Sequence, residues 1–115
     1  MKLFFQIIFK IFLILTILVG YATAGVIKET DSDALLNQGI ALLKKGRYDL
    51  SINYFNKAIE INPRFAEAYN NRAFVNFYKR DFEMAWDDVY KALNLGYKVH
   101  PGFLNALREA SGRQK

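Results

Sequence analysis

Residues 48–95, YDLSINYFNKAIEINPRFAEAYNNRAFVNFYKRDFEMAWDDVYKALNL, hold one pattern written twice at an offset of 34 positions. Tyr48 pairs with Phe82, Ser51 with Ala85, Phe55 with Val89, Ala58 with Ala92 and Ile59 with Leu93, and Lys57 recurs as Lys91. The offset extends backwards: Leu35 pairs with Tyr69, Asn37 with Asn71, Gly39 with Ala73, Ile40 with Phe74 and Leu43 with Phe77. Small residues meet small ones and bulky apolar residues meet bulky ones. A fixed period that conserves side-chain size is the mark of a repeat array.

Within each copy the apolar residues fall at helical spacing. Leu35, Leu36, Gly39, Ile40, Leu42 and Leu43 define a first helix. Thr30 to Asp33 supply capping oxygens at its start, and Lys44, Lys45, Gly46 and Arg47 close it. Tyr48, Ile52, Phe55, Ala58 and Ile59 share one face of a second helix, with Ser51 on the same face. Asn62-Pro63 stops it, because proline disfavours a helical residue before it. The spacing predicts a third helix over 66–79. It also predicts a fourth over 82–95, capped by Asp81 and ended by Gly96. Ala73, Ala85 and Ala92 keep the contacts small where helices approach, and Tyr69, Phe82, Val89 and Leu93 fill the space around them. After an irregular link, Tyr97 to His100, Pro101 suits the first turn of a last helix. Its apolar face is Phe103, Leu104, Leu107 and Ala110, and its polar face is Asn105, Arg108 and Glu109. Such a two-sided helix closes an array against water. The fold class is therefore all-α, an antiparallel helix-turn-helix repeat array with a C-terminal capping helix.

Gly39, Tyr48, Phe55, Ala58 and Pro63, followed by Ala73, Phe82, Ala85 and Ala92, resemble the tetratricopeptide repeat over roughly residues 31–95. The resemblance implies a non-catalytic protein-binding module whose first helices line a concave groove for an extended or helical peptide. On this chain the groove positions are Leu36, Ile40 and Lys44 in the first copy, and Asn70, Asn71, Phe74 and Phe77 in the second. The competing reading is that a neighbouring helix simply buries some of these side chains. Some members clamp a terminal carboxylate with Lys and Asn. Asn37 and Asn71 match the clamp's Asn, but Leu36 and Ile40 stand where its Lys and second Asn belong. Without the cation the charge-assisted bonds are lost, so that mode is not expected.

The N-terminus is of another kind. Leu3 to Val19 is almost wholly apolar, preceded by Lys2, interrupted by Lys10 and followed by Ala22-Thr23-Ala24. A charged start, an apolar run and a small-x-small exit describe a secretory signal peptide over 1–24 with cleavage before Gly25. The alternative is an uncleaved membrane anchor, for which about 20 apolar residues are needed. Both readings export the domain, because the lysines stay inside. It would then be periplasmic or secreted, or anchored with the repeats outside the cytoplasm. Residues 25–30 are a linker, 31–65 and 66–98 the two repeats, and 99–115 the capping helix and tail.

Composition narrows the chemistry. The chain has no Cys and one His, so thiol catalysis, thiolate metal sites and paired-His centres are excluded. The net charge of +5 falls to +3 without Lys2 and Lys10 and is mixed in order. That is unlike a one-sided nucleic-acid footprint, so no nucleic-acid partner is expected. Asp87 and Asp88 are adjacent on a helix and cannot face each other; both read as solvated. His100 beside Pro101 reads as a turn or cap residue, and Trp86 as packing against the last helix. No cofactor, metal or catalytic constellation is implied. Repeat arrays are usually stable from about three units. The unpaired face of the first pair, with Leu36, Ile40 and Leu43, is therefore a second candidate interface. The alternative function is a membrane-tethered structural subunit that forms a homodimer through its first helix.

Overall fold

The structure, a computed structural model, describes residues 1–20 and 31–113. Among these, five α-helices follow in the order α1 (Lys2–Lys44), α2 (Tyr48–Ile61), α3 (Ala66–Tyr78), α4 (Phe82–Asn94) and α5 (Pro101–Ser111). The four later helices start and stop within a residue or so of where their punctuation predicts. His100 caps α5, its Nδ1 accepting from the Gly102 N–H at 3.0 Å, and Pro101 occupies the first turn. Asp81 caps α4 by accepting from the Met84 N–H. The first helix differs from expectation. Asp31 to Asp33 lie within α1, whose N-cap is Met1. Capping side chains favour a start but do not compel one, and neither proline of the chain lies before residue 63. The expected exit Ala22-Thr23-Ala24 and the linker 25–30 lie outside the described residues.

Two cores meet on α3. The first gathers Leu36 of α1, Phe55 and Ala58 of α2, and Ala68 and Val75 of α3. The second gathers Tyr69 and Ala73 of α3, Ala85, Trp86, Val89 and Ala92 of α4, Val99, and Phe103 and Leu107 of α5. The expected small residues Ala73, Ala85 and Ala92 are all fully buried. Leu93 is not part of this filling; it is 42% exposed, because Ala92 takes the inward position beside it. Trp86 packs under α5 as expected, with its indole N–H donating to Ser111 Oγ at 3.0 Å.

α1 and α2 approach closely at Gly39. A Cβ on Gly39 would lie within 3.0 Å of three carbons of the buried Phe55 ring, and Ser51 Oγ donates to the Gly39 carbonyl at 2.7 Å. The equivalent trio in the second pair is Ala73, Val89 and Ala85, all fully buried. A methyl gained on one helix is matched by bulk lost on the other, as close packing requires.

The two tight turns are also related by the repeat. Gly46 at φ 72° is replaced 34 residues later by Arg80 at φ 64°, the non-glycine residue with positive φ among those described. Arg47 at the N-cap of α2 makes no capping bond, whereas its counterpart Asp81 does.

A polar row crosses the hydrophobic layers. Arg72 of α3 binds Asp88 of α4 in a two-pronged pair, Nε to Oδ2 at 2.9 Å and Nη2 to Oδ1 at 2.6 Å. Its Nη1 donates to Asn56 Oδ1 of α2 at 2.7 Å, and Asn76 Nδ2 approaches Asp88 at 3.4 Å. Asp88 is therefore buried, at 4% exposure, contrary to the solvated reading. Asp87 beside it is exposed. The hydrogen bonds that Arg72 donates to Asp88 raise the Arg72 pKa above its ordinary value, outweighing the lowering effect of burial. Arg72 thus stays cationic at every working pH.

Five variants can be read by urea or thermal unfolding. Gly39→Ala should destabilise by up to about 2 kcal/mol: overpacking costs ~1–3 kcal/mol, offset by a helix-propensity gain of ~1 kcal/mol. Gly39→Ala with Phe55→Val, which copies the second pair, should be more stable than the two single effects sum to. Additivity would refute the coupling. Arg72→Ala should cost about 3 kcal/mol or more by stranding the Asp88 carboxylate, and should cost more than Asp88→Ala, which leaves Arg72 with Asn56 and solvent. Arg47→Asp should stabilise by about 1 kcal/mol through a new cap, a rise of several degrees in Tm. Arg80→Gly should be near neutral, since relief of ~1 kcal/mol of left-handed strain is offset by glycine's entropy of ~0.5–1 kcal/mol.

Candidate functional site

The seven groove positions sort by what covers them. Leu36, at 5% exposure, belongs to the first core, and Asn70, at 7%, is buried in α3. Ile40, Asn71, Phe74 and Phe77 are half-buried, and Lys44 is exposed. The structure brings Phe74 and Phe77 together through the capping helix: the Phe74 ring stacks on Phe103 with centroids 3.8 Å apart, and Phe77 meets Phe103 edge-on at 5.7 Å. Part of this face is thus occupied by the chain itself, because α5 must cover an apolar edge that a further repeat would otherwise cover. Asn71 spends one amide hydrogen on the Glu67 carbonyl at 2.9 Å. Asn70 is different. Its Oδ1 is buried and accepts from no donor.

On α1 the described positions exposed between 31 and 44 are Asp31, Asp33, Ala34, Asn37, Gln38, Ala41 and Lys44. They are polar or small. Leu36, Ile40 and Leu43, expected as an unpaired apolar face, pack into or against the first core instead, since α1 turns them towards α2 and α3.

Among the hollows formed by the described residues, two lie near α2. One of about 510 Å³ opens between α2, α3 and the start of α4, over Ile52, Asn56, Ile59, Arg72, Asn76 and Met84. Its floor is the polar row, which the sequence reading missed. One signal for it was present: Asp88 is three residues after Ala85 and four before Ala92, on the stripe that the alanines mark as buried. The other hollow, of about 460 Å³, lies at the turns and is lined by Gly46, Arg47, Tyr48, Asp49, Leu50 and Lys79.

Lys2–Gly20 forms the one described segment long and apolar enough to cross a membrane, with mean hydropathy 2.5 and none of it buried against the chain. Its Thr16 hydroxyl donates to the Leu13 carbonyl at 2.8 Å, so that polar group is satisfied within the helix. Signal sequences and anchors share these properties.

Comparison with known proteins agrees with the repeat geometry. The tetratricopeptide repeat family matches residues 32–65, which span the C-terminal end of α1, all of α2 and the turn after it, and again residues 54–87. The chain is 41% identical over 61 residues to tetratricopeptide repeat protein 36 of Caenorhabditis elegans, covering 53% of this chain and 34% of that protein. It is 34% identical over 61 residues to the tetratricopeptide repeat protein 36 homolog of Nematostella vectensis, with the same coverage. It is 31% identical over 68 residues to stress-induced-phosphoprotein 1 of C. elegans, covering 59% of this chain and 21% of that protein. The matched region thus spans a third or less of these relatives' length. With their 34-residue period, their paired helices, the nested Gly39–Phe55 contact and these matches, residues 32–87 belong to the tetratricopeptide repeat family, whose repeats are protein-interaction modules.

Proposed function

We propose that this protein is a non-catalytic adaptor or assembly factor that works outside the cytoplasm and holds a peptide segment of a protein partner on the face formed by α1 and α3. The family supports protein binding in general, and the apolar N-terminal segment supports export or anchoring. The observation that carries the choice of face is Asn70. A buried amide oxygen without a donor costs about 1–3 kcal/mol, and the residue sits on the helix that the groove reading singles out. A partner's backbone N–H, reaching it after a small side-chain shift, would supply the donor. Ile40 of α1 and Asn71 of α3, both half-buried, would add contacts, Lys44 would offer a cation at the end of α1, and the uncovered edges of Phe74 and Phe77 would add apolar area.

The test uses the full chain in mild detergent, with envelope extract as the source of partners. Asn70→Leu should leave Tm unchanged or higher, because it removes an unsatisfied polar group. It should nonetheless lower retention of the captured partner by roughly tenfold, the worth of one buried hydrogen bond. Unchanged retention would place the binding face elsewhere.

A further inference from the structure

The turns between α1 and α2 and between α3 and α4 lie side by side at one end of the array. Lys79 Nζ is 2.6 Å from Asp49 Oδ1, and the Tyr48 and Tyr78 rings stack at 5.9 Å. The hollow of about 460 Å³ lies at this junction. Lys44, Lys45, Arg47, Lys79 and Arg80 are all exposed at this end. Among the described residues no acid pairs with Lys44, Lys45, Arg47 or Arg80. The acids nearby are already engaged: Asp49 with Lys79, Asp81 as the cap of α4, and Glu83 with Arg113.

Helix C-termini attract cations, and that accounts for Lys44, Lys45 and Lys79. It does not account for Arg47, and although Arg80 also follows a helix C-terminus, with its guanidinium 5.9 Å over the Phe82 ring, its backbone takes a conformation that glycine fits better. The repeat supplies its own control, because each turn shows what the other would use. Glycine fits the left-handed position, as at Gly46, and aspartate fits the N-cap, as at Asp81. A Gly-Asp pair would satisfy both turns. Instead the first reads Gly46-Arg47 and the second Arg80-Asp81. Arg47 places a cation at a helix N-terminus, where the dipole disfavours it and no capping bond forms. Arg80 holds a left-handed backbone that side chains avoid. Each copy thus gives up one favourable turn residue for a guanidinium, at the same end of the molecule. Locally unfavourable residues of this kind collect where a surface is used.

We infer that this turn end is a second docking site, which adjoins the α1–α3 face at Lys44 and does not include its Asn70 contact, and that it takes an acidic segment of a protein partner. Arginine forks match carboxylates in two-pronged pairs, and the stacked Tyr48 and Tyr78 give the segment an apolar floor. The patch is short and its cations alternate with Asp49 and Asp81. That suits a few carboxylates rather than the long single-sign track that nucleic acid requires.

The test is fluorescence anisotropy of the full chain in nonionic detergent with a labelled decaglutamate peptide at low salt. The wild type should bind it, more weakly as salt rises. The Arg47→Asp/Arg80→Gly double variant, which restores the favoured turn and is not weakened in its fold, should bind roughly tenfold more weakly with Tm equal or higher. Asn70→Leu should bind the peptide like wild type, so that failure of the α1–α3 reading and failure of this one are told apart. No binding by wild type, or equal binding by the double variant, overturns the inference. So does tighter binding of a labelled oligothymidylate ten-mer, or of vesicles with 30% phosphatidylglycerol, measured at the same salt.

Discussion

The contact between Gly39 and the Phe55 ring sets how near α1 and α2 can lie, and the rest of the array inherits that spacing. With no Cβ on Gly39, the ring seats against backbone, and Ser51 uses the same gap to reach the Gly39 carbonyl. Helices held this close leave room for few large groups between them. The second pair meets the same constraint by a different division of volume, Ala73 against Val89. Repeat proteins tolerate such exchange because each pair needs only to fill its own gap and present a compatible surface to the next.

That compatible surface is α3. It contributes Ala68 and Val75 to one core and Tyr69 and Ala73 to the other, so the two pairs share a helix rather than merely touching. Arg72 lies on the same helix and ties α2 to α4 through Asn56 and Asp88. A buried ion pair of this sort adds little net stability over a well-packed apolar pair, yet it penalises any misplacement of its partners. In a two-repeat array, where few contacts are long in sequence, such a directional link specifies how one pair is stacked on the other.

The capping helix resolves the end of the array at the expense of binding area. Phe103 stacks on Phe74 and abuts Phe77, so the aromatic part of the expected groove serves folding first. The polar remainder, with Asn70 unsatisfied and Lys44 free in water, is what the α1–α3 face still offers. The turn end has a different character. It is cationic, open and built partly from residues that the local backbone would not choose. A small array with two unlike surfaces is well suited to holding two segments together.

The sequence by itself determined the period, the helix limits after residue 47, the caps at Asp81 and His100, and the buried alanines. These depend on spacing within one helix or on a single residue's local preference, and both are written along the chain. It did not determine that Asp88 would be buried against Arg72, or that Phe74 and Phe77 would be claimed by Phe103. Periodicity states which side of a helix is inward; it does not state which other helix lies there. Arg72 and Asp88 are 16 residues apart and Phe74 and Phe103 are 29 apart, so only the angle and depth of packing between whole helices could bring those side chains together.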